Sequence, residues 1–150
     1  MNANTLRWEE VAEGQEIPAI SLELTRNRTV MIVCATRDIF PLHHDEEFAR
    51  SAGYEAPAVA TAFLHGFCGR CLTDWAGPLA RIRKLGLTLR APSHTGDTVT
   101  VGGRVARKYT EKGEHFVDCD LAITKQDGTV SVDARATIAF CREAGVAGDW

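Results

Sequence analysis

The sequence contains no apolar run near the roughly 20 residues that a membrane-spanning helix requires, so no membrane segment is expected among its 150 residues. Its opening, MNANTLRWEE, also lacks a hydrophobic stretch, so no standard secretory signal is expected there. Positive charge is not in surplus: 17 Lys and Arg stand against 20 Asp and Glu, for a net charge of −3, with the signs interspersed. Such a chain has no basic field to recruit nucleic acid. The five cysteines (34, 68, 71, 119 and 141) are an odd number and cannot all pair. Without a secretion signal, reduced thiols and a cytoplasmic location are the expectation. No phosphate-binding glycine loop, internal repeat, low-complexity tract or linker occurs, so no nucleotide cofactor is implied. Residues 1–150 read as a single domain, long enough to bury about two thirds of its unfolded surface.

What the chain does have is a loop that combines an acid, a proline and an imidazole: Thr36-Arg37-Asp38-Ile39-Phe40-Pro41-Leu42-His43-His44-Asp45. Proline fixes its own φ near −65° and pushes Phe40 towards extended geometry, so Asp38 and His43 cannot continue one helix. A bend at Pro41 would bring them together. Paired in that way, one group can take a proton while the other orients or donates. The spacing alone is weak evidence, since most Asp-x-x-x-x-His segments are solvated polar loops. Asp45 reads as the N-cap of a short helix ending near Gly53, with Glu46 and Glu47 in its first turn.

Upstream, residues 13–18 read as a turn, and residues 20–25 alternate like a half-buried strand. Residues 30–34 (Val-Met-Ile-Val-Cys) fit a strand or a buried helix equally well. A second organising element spans residues 59–75 and carries only Arg70 and Asp74 as charges. Its apolar residues occur nearly all round, which predicts a helix inside the protein. Gly66 and Gly69, each costing about 1 kcal/mol in an exposed helix, are expected to let a sheet backbone approach.

The second half alternates with period two, at Leu85/Leu87/Leu89, Val99/Val101, Val117/Cys119/Leu121/Ile123 and Val130 through Phe140. Lys112-Gly113 and Asp127-Gly128 are hairpin turns between these runs, and Gly102-Gly103 predicts a bulge or bend. One-sided alternation with short turns gives an antiparallel sheet with a wet outer face. Only the 59–75 helix is apolar enough to cover the inner face. The expected class is α+β, a curved antiparallel sheet wrapped around one long central helix.

This combination resembles the hotdog fold of the MaoC-like dehydratase, or (R)-specific enoyl-CoA hydratase, family, over about residues 8–140. Gly14-Gln15-Glu16-Ile17-Pro18 resembles the family's opening, and Asp38-Ile39-Phe40-Pro41-Leu42-His43 its Asp-x-Asn-Pro-x-His signature, with Phe40 in place of asparagine. Pro57 before the central helix and Pro92 through Asp97, a Pro-x-x-x-Gly-Asp strand entry, complete the pattern. The resemblance makes residues 30–34 a helix leading into the loop. Arg37-Asp38, His43-His44-Asp45 and Thr73-Asp74-Trp75-Ala76-Gly77-Pro78 are most similar to small subunits of bacterial steroid side-chain hydratases. The family's His-Gly at the central helix start is Ala60-Thr61 here, and the steroid-type subunits lack that glycine too.

The resemblance implies hydration or dehydration of a trans-2-enoyl-CoA thioester, with coenzyme A as part of the substrate and no cofactor. Asp38 and His43 would bind and deprotonate the water and return a proton. A free carboxyl titrates near 4 and a free imidazole near 6.5, so His43 is expected to handle the proton and Asp38 to orient and assist. A backbone amide near Thr61, at the helix start beside Ala60, would meet the enolate oxygen. Phe40 and His44 are the other expected substrate neighbours. His65, Cys68 and Cys71 fan over about 120° of a helix, so they read as core residues and a satisfied histidine rather than metal ligands. Two other readings stay open: a hotdog thioesterase, and a half-site subunit inactive without a partner. Open sheet edges predict a homodimer, or a hetero-oligomer with another hotdog chain.

Overall fold

A computed structural model describes residues 6–78 and 80–140; Cys141 lies outside them. The elements run β1 (Glu16–Glu23), α1 (Arg26–Thr36), α2 (Glu46–Ser51), α3 (Thr61–Ala76), β2 (Ala80–Leu89), β3 (Thr98–Glu111), β4 (Glu114–Lys125) and β5 (Val130–Phe140). The five strands form one antiparallel sheet in the order β1-β3-β4-β5-β2. Helix α3 lies against β1, β2 and β3, which makes this the hotdog arrangement expected above.

The hairpins form where glycine follows a turn residue. Lys112 (φ 49°) and Gly113 (φ 82°) both take left-handed backbone, the geometry that matches the twist of two flanking strands. The second turn is closed by Thr129 N–H donating to Asp127 Oδ1 at 2.8 Å. Inward residues of the strands, Val99, Val101, Val117, Ile123, Val132 and Ile138 among them, are fully buried with Leu64, Phe67, Cys68, Cys71 and Leu72 of α3.

Several expectations change. The open choice at residues 30–34 resolves to helix α1, started by Thr25, whose Oγ1 accepts the Arg28 N–H at 3.3 Å. Strand β1 begins at Glu16 and takes in Pro18, which an edge strand tolerates because its missing N–H faces no partner. The bulge expected at Gly102-Gly103 sits on the neighbouring strand: Ile17 pairs with Gly103 and Ile20 with Val101, so Pro18 and Ala19 together oppose Gly102. The two glycines instead make room. A Cβ on Gly102 would lie 3.0 Å from Ala19 Cβ.

Helix α3 is not enclosed all round. One face packs on the sheet, while Ala62, His65, Gly66, Arg70 and Thr73 are exposed. Among the described residues neither helix glycine admits a neighbouring backbone: Gly66 has open space, and Gly69 meets Ile82 Cδ1 at 3.9 Å. The apolar count along the helix exceeds what one sheet face can cover. Leu89, on the inner side of the edge strand β2, is likewise 53% exposed.

Candidate active site

Helix α1 stops at Arg37, which takes left-handed backbone (φ 55°, ψ 23°). Asp38 follows, its N–H within 3.4 Å of Thr36 Oγ1. Phe40 is extended (φ −61°, ψ 129°), and Pro41 opens a one-turn 3-10 helix, Pro41–His43. The Pro41 carbonyl accepts two amides, from His44 at 3.1 Å and Asp45 at 2.8 Å. Asp45 then caps α2, its Oδ1 accepting Glu47 N–H at 2.9 Å and Phe48 N–H at 3.0 Å. The chain therefore turns sharply at the proline.

That turn places His43 Nε2 3.3 Å from Asp38 Oδ2. On the other side of the ring, His43 Nδ1 lies 2.7 Å from the Ala58 carbonyl oxygen. A carbonyl only accepts, so Nδ1 carries the hydrogen, and in the neutral form of the ring Nε2 is bare and faces the carboxylate. Two acceptors then face one another. A water lying beside the pair, within reach of both atoms, would satisfy both by donating one hydrogen to each. The His43 side chain is 14% exposed and that of Asp38 44%, so solvent reaches the pair from the Asp38 side.

Phe40 occupies the signature's asparagine position without its hydrogen bond. Its ring stands edge-on to Phe48 (5.4 Å, 80°) and to His43 (6.2 Å, 72°). Aromatic packing and the Pro41 carbonyl hold the loop instead. His44 Nε2 is 3.1 Å from the Ile39 carbonyl, and its ring borders a cleft of about 140 Å³ with Arg26, Glu46 and Arg50. Ala60 is buried and is the N-cap residue of α3, but it has no side chain to cap with. The first amides of α3, Thr61 among them, therefore have no side-chain cap. A larger concavity, about 470 Å³, lies on the outer face of the sheet around Gly86, Arg90, Asp120 and Arg135. Neither concavity borders Asp38 or His43. The pair opens beside Ile39 and Phe40, which are 76% and 52% exposed.

The other candidate chemistry falls apart on geometry. His65 is exposed and its Nε2 is 3.3 Å from the Leu85 carbonyl, while Cys68 and Cys71 face the core. Burial pushes the Cys68 thiol up to about 12, Cys71 to about 11 and Cys119 to about 12, so all three stay protonated. Among the described residues no three potential ligands cluster.

Two features had no chemical signal in the sequence. The Ala58 carbonyl is a backbone atom and leaves no trace in side-chain types. The buried Asp97 was visible only as part of a strand-entry motif. Burial pushes its carboxyl up, but the His94 amide, Gln126 and Lys125 outweigh that and hold it below the usual carboxylate range. A carboxyl depressed on folding stabilises the protein above its unfolded value of about 4. That contribution should fade as pH falls below about 4. Thermal midpoints measured from pH 5 to pH 3 should drop steeply for the natural protein, and less steeply for Asp97→Asn, which starts lower.

Residues 12–134 match the family model described as FAS1-like, dehydratase domain region. Over 92 residues, 61% of this chain and 71% of the relative, the sequence is 37% identical to the 3-oxo-4,17-pregnadiene-20-carboxyl-CoA hydratase beta subunit of Mycobacterium tuberculosis. The structure is similar to a chain of the ChsH1-ChsH2 complex from the same organism, with a TM-score of 0.78 and 29% identity over 87% of this chain and 98% of that one. It also shares its fold with the R-hydratase PhaJ1 of Pseudomonas aeruginosa, with a TM-score of 0.83 and 18% identity over 93% and 88% of the two chains.

Proposed function

Because the chain belongs to the FAS1-like dehydratase family, we propose that it adds water to, or removes it from, a trans-2-enoyl-CoA thioester at Asp38 and His43. The observation that carries this reading is the 3.3 Å approach of His43 Nε2 to Asp38 Oδ2, with Nδ1 tied to Ala58. In the hydration direction the shared water attacks the β-carbon and gives one proton to Nε2. Charge collects on the thioester oxygen as the C–O bond forms. The uncapped amides at Thr61, behind Ala60, would receive that charge. Collapse of the enolate takes a proton back at the α-carbon, leaving the pair as it began. Asp38 orients the water and shares the proton. His44, turned onto Ile39, supports the loop from behind.

A second hotdog chain would complete the acyl site. The exposed face of α3, the open edge of β2 and the open setting of Asp38 and His43 support this, as does the relative found in a two-component complex. The acyl group is proposed to be bulky, as the name of the 37% identical hydratase subunit indicates for that protein. Phe40 would then border the acyl group. Phe40→Ala should lower kcat/KM several-fold for a polycyclic enoyl-CoA and change it little for a four-carbon one.

The experiment mixes the purified chain with an enoyl-CoA, alone and with a candidate hotdog partner. Loss of the conjugated-thioester absorbance without free thiol supports hydration. Thiol release would make the chain a thioesterase. Inertness until the partner is added would make it a half-site subunit. Inertness under both conditions, with every acyl length tried, would overturn the reading.

A further inference from the structure

His43 owes its orientation to Ala58, and Ala58 owes its own to a turn that contains no residue of the proposed site. Residues 57–59 form a strut that bonds in two directions. Ala58 uses both backbone groups on the loop: its N–H donates to the Leu42 carbonyl at 3.1 Å, and its carbonyl accepts from His43 Nδ1 at 2.7 Å. Its neighbours bond the other way, Val59 N–H to the Ser93 carbonyl at 2.8 Å and Thr95 N–H to the Pro57 carbonyl at 3.0 Å. Ala58 and His94 are thereby an isolated antiparallel bridge.

The turn that carries this bridge is built on one buried carboxylate. Asp97 Oδ2 accepts the His94 N–H at 2.8 Å and Lys125 Nζ at 3.0 Å, and Oδ1 accepts Gln126 Nε2 at 3.0 Å. The Asp97 carbonyl accepts the Leu24 N–H at 2.7 Å, just before α1. The side chains of Asp97 and Lys125 are 11% and 14% exposed. The carboxylate thus joins the turn that carries the strut to the end of β4, while the backbone carbonyl of the same residue holds the segment before α1.

We propose that Asp97 is a positioning residue for His43: through residues 93–95 and the strut it fixes the Ala58 carbonyl, and so keeps the imidazole hydrogen on Nδ1. The proposal rests on the hydratase reading for its catalytic consequence but not for its structural one. If the strut relaxes, the hydrogen on Nδ1 loses its acceptor and the ring is free to carry it on Nε2. In that tautomer Nε2 cannot take a proton from water. Small misplacements of reacting groups are enough to cost about a hundredfold in rate.

The test uses Asp97→Asn and the milder Lys125→Met, each with the histidine rings labelled with ¹⁵N and the His43 signals assigned by comparison with His43→Gln. In the natural protein the neutral His43 ring should give one dominant Nδ1–H tautomer. Asp97→Asn should give a mixture, with kcat 10- to 100-fold lower and KM within about threefold, and Lys125→Met an intermediate result. If Asp97→Asn does not fold, Lys125→Met decides. Folded variants with an unchanged His43 spectrum, or activity lost only in proportion to the unfolded fraction, would overturn the proposal and leave Asp97 a stability residue. If the natural protein hydrates no enoyl-CoA, the spectra still decide the positioning, and only the hydratase reading fails.

Discussion

His43→Ala is expected to lower kcat for enoyl-CoA hydration by about 10³- to 10⁴-fold, the upper part of the range for a general acid–base group, with little effect on KM. In the proposed reaction the imidazole takes the proton of the water through Nε2 and has no part in binding the thioester. Its ring is held by the Ala58 carbonyl on one side and packs against Phe40 on the other. Asp38→Asn tests the partner group while keeping its shape. It should cost less than His43→Ala, because an amide oxygen still orients the water but shares no proton. The double variant should be little worse than His43→Ala alone, since groups that act on one water fail together. Steady-state kinetics with circular dichroism as a folding control measures all three. Wild-type turnover in His43→Ala would remove the imidazole from the reaction.

The second large effect concerns stability. A Cβ on Gly103 would lie 2.8 Å from Leu121 Cα and closer still to the Asp120 carbonyl oxygen. Both are backbone atoms of β4, hydrogen-bonded in register with β3, and neither can move without opening the ladder. Gly103→Ala should therefore cost about 3 kcal/mol, the top of the usual range for overpacking, and lower the thermal midpoint by roughly 10 °C. Gly66→Ala is the contrast. Nothing lies within 4 Å of a Cβ there, so the helix should gain up to about 1 kcal/mol. If α3 is the face that meets a second chain, the same change should weaken assembly while it stabilises the isolated chain. Calorimetry of the two variants, with light scattering for Gly66→Ala, checks both.

Period-two alternation identified β2 to β5 because each strand has one face towards the core and one towards water. The Lys112-Gly113 and Asp127-Gly128 turns were readable for the same local reason: only a few residue pairs adopt that backbone. Asp45 and its following acids marked α2 correctly. Helix α1 was undecided from its residues because Val30, Met31, Ile32 and Val33 suit either structure, and the family resemblance chose between them. The Gly102-Gly103 pair signalled an irregularity but not which strand carries it. Glycine is needed opposite a bulge as much as within one. The enclosure of α3 was overestimated because composition counts apolar residues, whereas burial depends on how many neighbours there are to cover them. At the site, Pro41 made the approach of Asp38 and His43 readable. The Ala58 acceptor and the Asp97 clamp were not, since they consist of backbone groups and contacts between residues far apart in the chain.

The most direct test is a crystal structure of Asp38→Asn, with its partner chain if one is required, soaked with a trans-2-enoyl-CoA. A water should lie within hydrogen-bonding reach of both the introduced amide oxygen and His43 Nε2, with the β-carbon about 3–3.5 Å from it and the thioester oxygen at the Thr61 amide. A thioester bound with its β-carbon turned away from His43, or bound in the groove on the outer face of the sheet, would contradict the account.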